Sequence, residues 1–210
     1  MQPIAIIHQD EHLLVVNKPS GLLSVPGRGP DKQDCLINRV LEQYPNARTV
    51  HRLDQPTSGL VVIALTYEGQ REMGKLFERR QINKSYIAVV GGNIAKNEGE
   101  INLPLICDWP NRPRQMVDHE HGKAAQTRYR VLERDRVSGT TRVELTPITG
   151  RSHQLRVHLR ELGHPILGDN LYAPQPLQTR ASRLLLHART LTFRHPLCDR
   201  ALSLTCEPDF

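Results

Sequence analysis

Apolar and polar positions along the chain set out a strand-rich pattern with a few helices. Ile4-Ala5-Ile6-Ile7 and Leu13-Leu14-Val15-Val16 flank polar Gln9-Asp10-Glu11, which reads as strand, turn and strand ended by Pro19-Ser20-Gly21. A Gly/Pro-rich loop follows through Pro26-Gly27-Arg28-Gly29-Pro30. Leu36, Ile37, Val40 and Leu41 then recur at helical spacing, in a helix that ends before Pro45. Residues 59–65 (Gly-Leu-Val-Val-Ile-Ala-Leu) form a continuous apolar run, as expected of a central strand covered on both faces.

Residues 67–80 read as a helix with Met73, Leu76 and Phe77 facing inward and Arg79 and Arg80 near its C-terminus, where cations suit the helix dipole. Residues 85–90 return to strand. The pattern loses regularity over 93–126, and Cys107-Asp108-Trp109-Pro110-Asn111-Arg112-Pro113-Arg114 is too rich in proline for a helix and reads as a loop. Alternation at 127–134 and 142–147 predicts two strands. Leu155, Leu159 and Leu162 mark a helix with Gly163 suited to its C′ position, and strands at 184–193 and 201–205 complete the order. Many strands, few helices and several hairpin-length connections indicate an α+β domain on a mixed, mostly antiparallel sheet. With no repeat, low-complexity stretch or evident linker, a single domain over 1–210 is expected.

The 210 residues are 38% hydrophobic and 24% charged, ordinary for a globular chain. No apolar run approaches the ~20 residues of a membrane helix, and the N-terminal residues lack a signal-peptide pattern, so a cytoplasmic location is expected. Cys35, Cys107, Cys198 and Cys206 form no C-x-x-C pair, and reduced thiols are expected. The net charge of +6 favours a polyanionic partner, although charge of this size also serves solubility alone.

Two segments concentrate chemistry. The first is Val50-His51-Arg52-Leu53-Asp54-Gln55-Pro56-Thr57-Ser58-Gly59, just ahead of the buried strand; on spacing alone it is equally a polar turn shaped by Pro56 and Gly59. The second is Thr149-Gly150-Arg151-Ser152-His153-Gln154-Leu155-Arg156-Val157-His158, a loop entering a helix whose first turn offers backbone donors to an anion. Arg156 and Arg160 are four apart, and the plain alternative is a solvated basic helix face. Ten histidines raise the question of a metal, but His153 and His158 are five apart and point to different faces, and no H-E-x-x-H occurs. Gly27-x-Gly29 lacks the remainder of a phosphate-binding fingerprint. No G-x-S-x-G elbow is present.

Taken together, these residues resemble the RluA-type pseudouridine synthases. His51-Arg52-Leu53-Asp54 with Thr57-Ser58-Gly59 matches that family's signature. The likeness extends, in order, through Asn17-Lys18-Pro19-Ser20-Gly21-Leu22, Tyr86 after Lys84-Ser85, residues 149–156, Gly163-His164-Pro165-Ile166-Leu167-Gly168-Asp169 and Leu186-His187-Ala188. Ile106-Cys107-Asp108-Trp109-Pro110-Asn111-Arg112-Pro113 is similar to an insert of the branch that modifies both tRNA and 23S ribosomal RNA, and no RNA-binding S4 domain is expected before the core.

The resemblance implies a sheet with flanking helices and loops around a central cleft, and an isomerase that turns uridine into pseudouridine with no cofactor and no metal. It implies Asp54 as the catalytic carboxylate, as nucleophile or as trigger of proton abstraction. Arg156 becomes its basic partner close in space, and Tyr86 a stacking surface or proton-handling group. Arg52 takes the place of a flipped-out base or contacts phosphate. Arg28, Arg79, Arg80, Arg112, Arg114, Arg151, His153 and Arg160 are candidate RNA contacts. The implied partners are tRNA and 23S rRNA stem-loops, with no membrane and no protein partner, and a monomer is the default. Gln55-Pro56 departs from the family pattern without touching this chemistry. A rival reading is a catalytically silent RNA-binding or ribosome-assembly protein, which predicts that Asp54→Ala leaves its role intact.

Overall fold

The computed structural model describes residues 4–210. The elements run in the order β1 (Ala5–Gln9), β2 (Leu13–Lys18), α1 (Leu36–Leu41), β3 (Arg48–Thr49), β4 (Ser58–Ala64), α2 (Tyr67–Glu78), β5 (Asn83–Gly91), β6 (Glu98–Asn102), β7 (Leu105–Cys107) and β8 (Gln115–Val117). They are followed by β9 (Gln126–Asp135), β10 (Thr140–Pro147), α3 (Gln154–Glu161), α4 (Gln175–Gln178), β11 (Leu186–Arg194) and β12 (Ala201–Thr205). Two compact units result: residues up to Lys84 together with His187–Phe210, and Ser85–Leu186. Both boundaries fall inside strands, β5 and β11, which is why no linker marks them in the sequence.

In the first unit, β2 and β4 run antiparallel from Leu13 opposite Ala64 to Lys18 opposite Gly59. β1 is the outer strand beside β2, and the β1–β2 turn is closed by Asp10, whose Oδ1 accepts from the backbone N–H of His12 and Leu13 at 2.9 and 2.8 Å. The other edge of β4 is shared: β11 runs parallel to it at Ser58 and Gly59, and β3 antiparallel at Ala64 and Ile63. β12 extends the sheet antiparallel to β11. All seven residues of β4 are buried, as its unbroken apolar run predicts. One face packs Leu13, Val15, Leu60 and Val62 with Met73 of α2 and Leu191, Phe193 and Leu202. Thr66 caps α2, its hydroxyl accepting from Gly69 N–H at 3.0 Å.

The second unit holds an antiparallel sheet in the order β5-β10-β9-β6, with Leu145 opposite Tyr86 at one end of the β5–β10 ladder. Helix α3 buries Leu155 and Leu159 against Ala88, Val143 and Leu145. Gly163 follows it at φ +86, the left-handed backbone expected at C′. The irregularity expected over 93–126 is only partly correct, because β6 and the β7–β8 hairpin lie within it. β6 reads Glu-Gly-Glu-Ile-Asn with only Ile101 buried, and β7 and β8 have three residues each, too short and too polar to show a period. Among the described residues, no helix is long and apolar enough to cross a membrane.

Gly59 joins the first chemical segment to the sheet. Its φ is +113, and a Cβ there would lie 2.3 Å from the carbonyl oxygen of Ala188. Gly59→Ala is therefore expected to destabilise the protein by well over about 1 kcal/mol, since neither the backbone angle nor the space suits a side chain; chemical denaturation measures this.

Candidate active site

The segment carrying Asp54 is tied down residue by residue. Ser24 clasps Leu53, its hydroxyl donating to Leu53 O at 2.8 Å and accepting from Leu53 N–H at 3.1 Å. Thr57 N–H donates to Asp54 O at 3.1 Å and closes the turn. Gly21 N–H donates to Gln55 O, Gln55 Nε2 returns a bond to Gly21 O, and the Ser20 hydroxyl donates to Pro56 O at 2.6 Å. The side chains of this segment alternate in exposure: Arg52 is exposed, Leu53 buried, Asp54 half-buried and Gln55 exposed.

Beneath the loop lies Lys18, 0% exposed. Its ammonium donates to the carbonyls of Leu22 at 2.7 Å and of Pro19 and Gln55 at 3.0 Å, one acceptor for each of its three donors. Burial pushes the Lys18 pKa down from 10.5 to about 7, and the negative charge of Asp54 opposes that shift. Lys18 thus links two of the resembling motifs: its backbone belongs to one, and its side chain holds the other.

His51 serves the frame. Its Nε2 accepts from Val62 N–H at 2.9 Å, filling the stretch of the β4 edge between the parts paired by β11 and β3. Its ring packs 4.5 Å from that of Phe77. Burial, with the nearby charge of Lys84, pushes its pKa down to about 3, so the imidazole stays neutral and keeps the lone pair it needs as acceptor. His187 is also structural: its Nε2 donates to Cys206 O at 2.9 Å, which leaves Nδ1 to accept from the Ser58 hydroxyl at 2.8 Å.

In the second unit, Arg156 is 2% exposed, so the solvated-face reading of α3 fails at this residue. Its Nε and one terminal nitrogen donate to the two carboxylate oxygens of Asp169 at 2.8 and 2.6 Å, a bidentate buried pair. Asp169 Oδ1 also accepts from the N–H groups of Leu171 and Tyr172. The guanidinium carbons of Arg156 and Arg160 lie 5.0 and 5.4 Å from the Tyr172 ring centroid, and the Tyr172 hydroxyl meets His153 Nδ1 at 2.6 Å.

The loop before α3 is pinned by Gln154, whose Oε1 accepts from the Thr149 hydroxyl and Arg151 N–H while its Nε2 donates to Gln126 O and Thr127 Oγ1. His158 Nε2 donates to Leu103 O, so its Nδ1 accepts from the Thr127 hydroxyl. Burial lowers its pKa, and the ring is neutral.

The remaining expected residues are spread over both units. Arg28, Arg52, Arg79 and Arg80 are exposed on the first, and Arg80 takes the left-handed position after α2 at φ 57. Arg112, Arg114 and Arg151 are exposed on the second, with His153 and Arg160 half-buried. Arg160 pairs with Glu161. Tyr86 is half-buried on β5 and packs against the core of its unit. Among the described residues no three His, Cys, Asp or Glu side chains are grouped to hold a metal ion.

Three residues to which sequence reasoning gave no role emerge here: Lys18, Asp169 and Tyr172. The first two stood inside the resembling motifs, but their burial depends on partners distant in sequence.

Two consequences can be measured. Asp169→Ala leaves the Arg156 charge buried without its carboxylate and should cost roughly 3–5 kcal/mol in unfolding free energy; removing Glu161 from its half-exposed pair with Arg160 should cost under about 1 kcal/mol. For Lys18, the unfolded chain keeps between pH 7 and 10.5 a proton that the folded protein has released. Stability from this residue therefore rises with pH across that window and is lost as pH falls through 7. Urea unfolding of wild type and Lys18→Met should show the wild-type advantage growing with pH, and a constant difference would contradict the assignment.

Residues 12–161 match the family model described as RNA pseudouridylate synthase. The chain is 54% identical over 205 residues to the dual-specificity RNA pseudouridine synthase RluA of Yersinia pestis, covering 98% of this chain and 99% of that protein. It is 52% identical over 207 residues to the enzyme of the same name from Escherichia coli K12, covering 99% of this chain and 94% of that protein. Among solved structures, human RNA pseudouridylate synthase domain containing 1 superposes with a TM-score of 0.82 at 29% identity, over 100% of this chain and 86% of that one. Human RNA pseudouridylate synthase domain containing 4 gives 0.77 at 30% identity, over 98% and 89%. The family model covers well over half of the chain and the relatives match it almost end to end, so this chain belongs to the RNA pseudouridylate synthase family.

Proposed function

We propose that this chain isomerises uridine to pseudouridine in two classes of cytoplasmic RNA, a tRNA anticodon stem-loop and a 23S ribosomal hairpin, with Asp54 as the carboxylate that acts at the ribose. The observation that carries the two-substrate reading is the 54% identity, across nearly both whole chains, to an enzyme named for dual specificity. The reaction breaks the N1–C1′ bond, turns the uracil and joins C5 to C1′. N1 ends with a proton, C5 loses one, and no electrons are gained or lost. The balance requires a group acting at the ribose and a means of moving a proton.

In this reading Asp54 supplies the first. The Ser24, Gly21 and Lys18 bonds hold its loop still, and its half-buried side chain stays within reach of a ligand. Tyr86 and Arg156 complete the catalytic set, the phenol as a flat surface for the uracil and the guanidinium as the cation that orients a carboxylate. A uridine inside a folded loop must be extruded at a cost of a few kcal/mol, and the exposed Arg52 takes the vacated place. The exposed arginines at 28, 79, 80, 112, 114 and 151, with His153 and Arg160, contact the RNA, largely through phosphate.

The purified protein, incubated with chelator and no added cofactor, is expected to form pseudouridine in both an anticodon stem-loop and a ribosomal hairpin. Asp54→Asn should lose at least about 10²–10⁴-fold in rate while binding RNA nearly as well as wild type. Undiminished activity of that variant, or a requirement for a metal, would overturn this reading.

A further inference from the structure

Trp109 is the single tryptophan of the chain, and 68% of its surface is open to solvent. A side chain of this size contributes most to stability when it is buried, so its outward placement calls for a purpose beyond packing. The loop that displays it is braced by its own hydrogen bonds. Asp108 N–H donates to Arg114 O at 3.0 Å and closes the ends, and Asp108 is bridged by Asn111 Nδ2, which lies 3.0 Å from both carboxylate oxygens. Arg112 Nε donates to Trp109 O at 3.1 Å, and the Arg112 guanidinium carbon lies 4.1 Å from the Trp109 ring centroid, a cation stacked on the indole face.

Where the loop re-enters β8, Gln115 N–H donates at 2.8 Å to the hydroxyl of Tyr172. This is the tyrosine whose ring lies beside Arg156 and Arg160 and whose hydroxyl meets His153. The exposed indole is thereby anchored to the cluster that fixes the second chemical segment.

We propose that Trp109, with Arg112 stacked on it, is a platform for an unpaired base of the RNA loop that carries the target uridine. The inference rests on the RNA-modifying function proposed above and adds the residue that recognises a neighbouring nucleotide. The chemistry favours a base over other occupants. A nucleobase has a flat π-face for the indole, its backbone phosphates suit Arg112 and the exposed Arg114, and unpaired bases are what folded RNA loops present. A duplex end or a protein surface supplies no splayed base next to a phosphate.

The test uses the full chain and its own fluorophore. Titration with an anticodon stem-loop RNA should quench the intrinsic tryptophan fluorescence, whereas a fully paired RNA of the same length should leave it nearly unchanged. Trp109→Leu, which keeps apolar bulk but no flat ring, should weaken stem-loop binding and raise KM about tenfold with kcat nearly unchanged, and Trp109→Phe should restore most of the loss. Unchanged fluorescence at saturating stem-loop, equal quenching by the paired RNA, or wild-type affinity in the leucine variant would each overturn the proposal. Should the leucine variant fail to fold, the wild-type titration and the phenylalanine variant still decide it. If wild type made no pseudouridine while the quench and the Leu/Phe difference persisted, the reaction assignment would fall and the stacking contact would stand.

Discussion

Lys18 gives its three donors to the carbonyls of Pro19, Leu22 and Gln55, and the position of Asp54 follows from that arrangement. An ammonium so deeply placed is costly to desolvate. Here the cost is offset by a complete set of acceptors and by the nearby Asp54 charge. The return is rigidity in a loop with no helix or long strand of its own. Gly59, confined by the backbone of Ala188, fixes where that loop joins β4, and Ser24 fixes its middle. The role proposed for Asp54, at one carbon of a ribose, would require a mounting of this kind, because small misplacements of a reacting group are costly in rate.

The second unit solves a similar problem with a different pair. Arg156 lies on a helix whose residues from Gln154 to Leu159 are all buried, and its charge is tolerable because Asp169 meets it in bidentate geometry and is itself held by two backbone N–H groups. Tyr172 extends the arrangement outward. Its ring lies against Arg156 and Arg160, and its hydroxyl reaches His153 and the backbone of the loop that displays Trp109. Order in the basic segment and order in the exposed aromatic loop thus share one residue.

Much of this was legible in the sequence, for identifiable reasons. β4 was visible because a strand buried on both faces must be apolar throughout, and α2 because Met73, Leu76 and Phe77 repeat at helical spacing ahead of Arg79 and Arg80. Short strands left no such trace: β6 has a single buried apolar residue, Ile101, among its five, and β7 and β8 end before a period can establish itself. The candidate residues were legible as motifs, but their surroundings were not. Charge patterning places Arg156 on a solvated face and lysines at the surface by default. The acceptors that bury them, Asp169 for one and the carbonyls of Leu22 and Gln55 for the other, are brought in by the fold. His51 illustrates the converse, a residue within the signature whose task is to complete a sheet edge.

The electrostatic tie between Lys18 and Asp54 is tested most directly by a double-mutant cycle on unfolding free energy with Lys18→Met and Asp54→Asn. If the buried ammonium and the carboxylate support one another, the double variant should be less destabilised than the sum of the single changes, with a coupling of about 1 kcal/mol or more. Effects that add to within about 0.3–0.5 kcal/mol would show that the two charges are independent, and would contradict the account of how the loop is held.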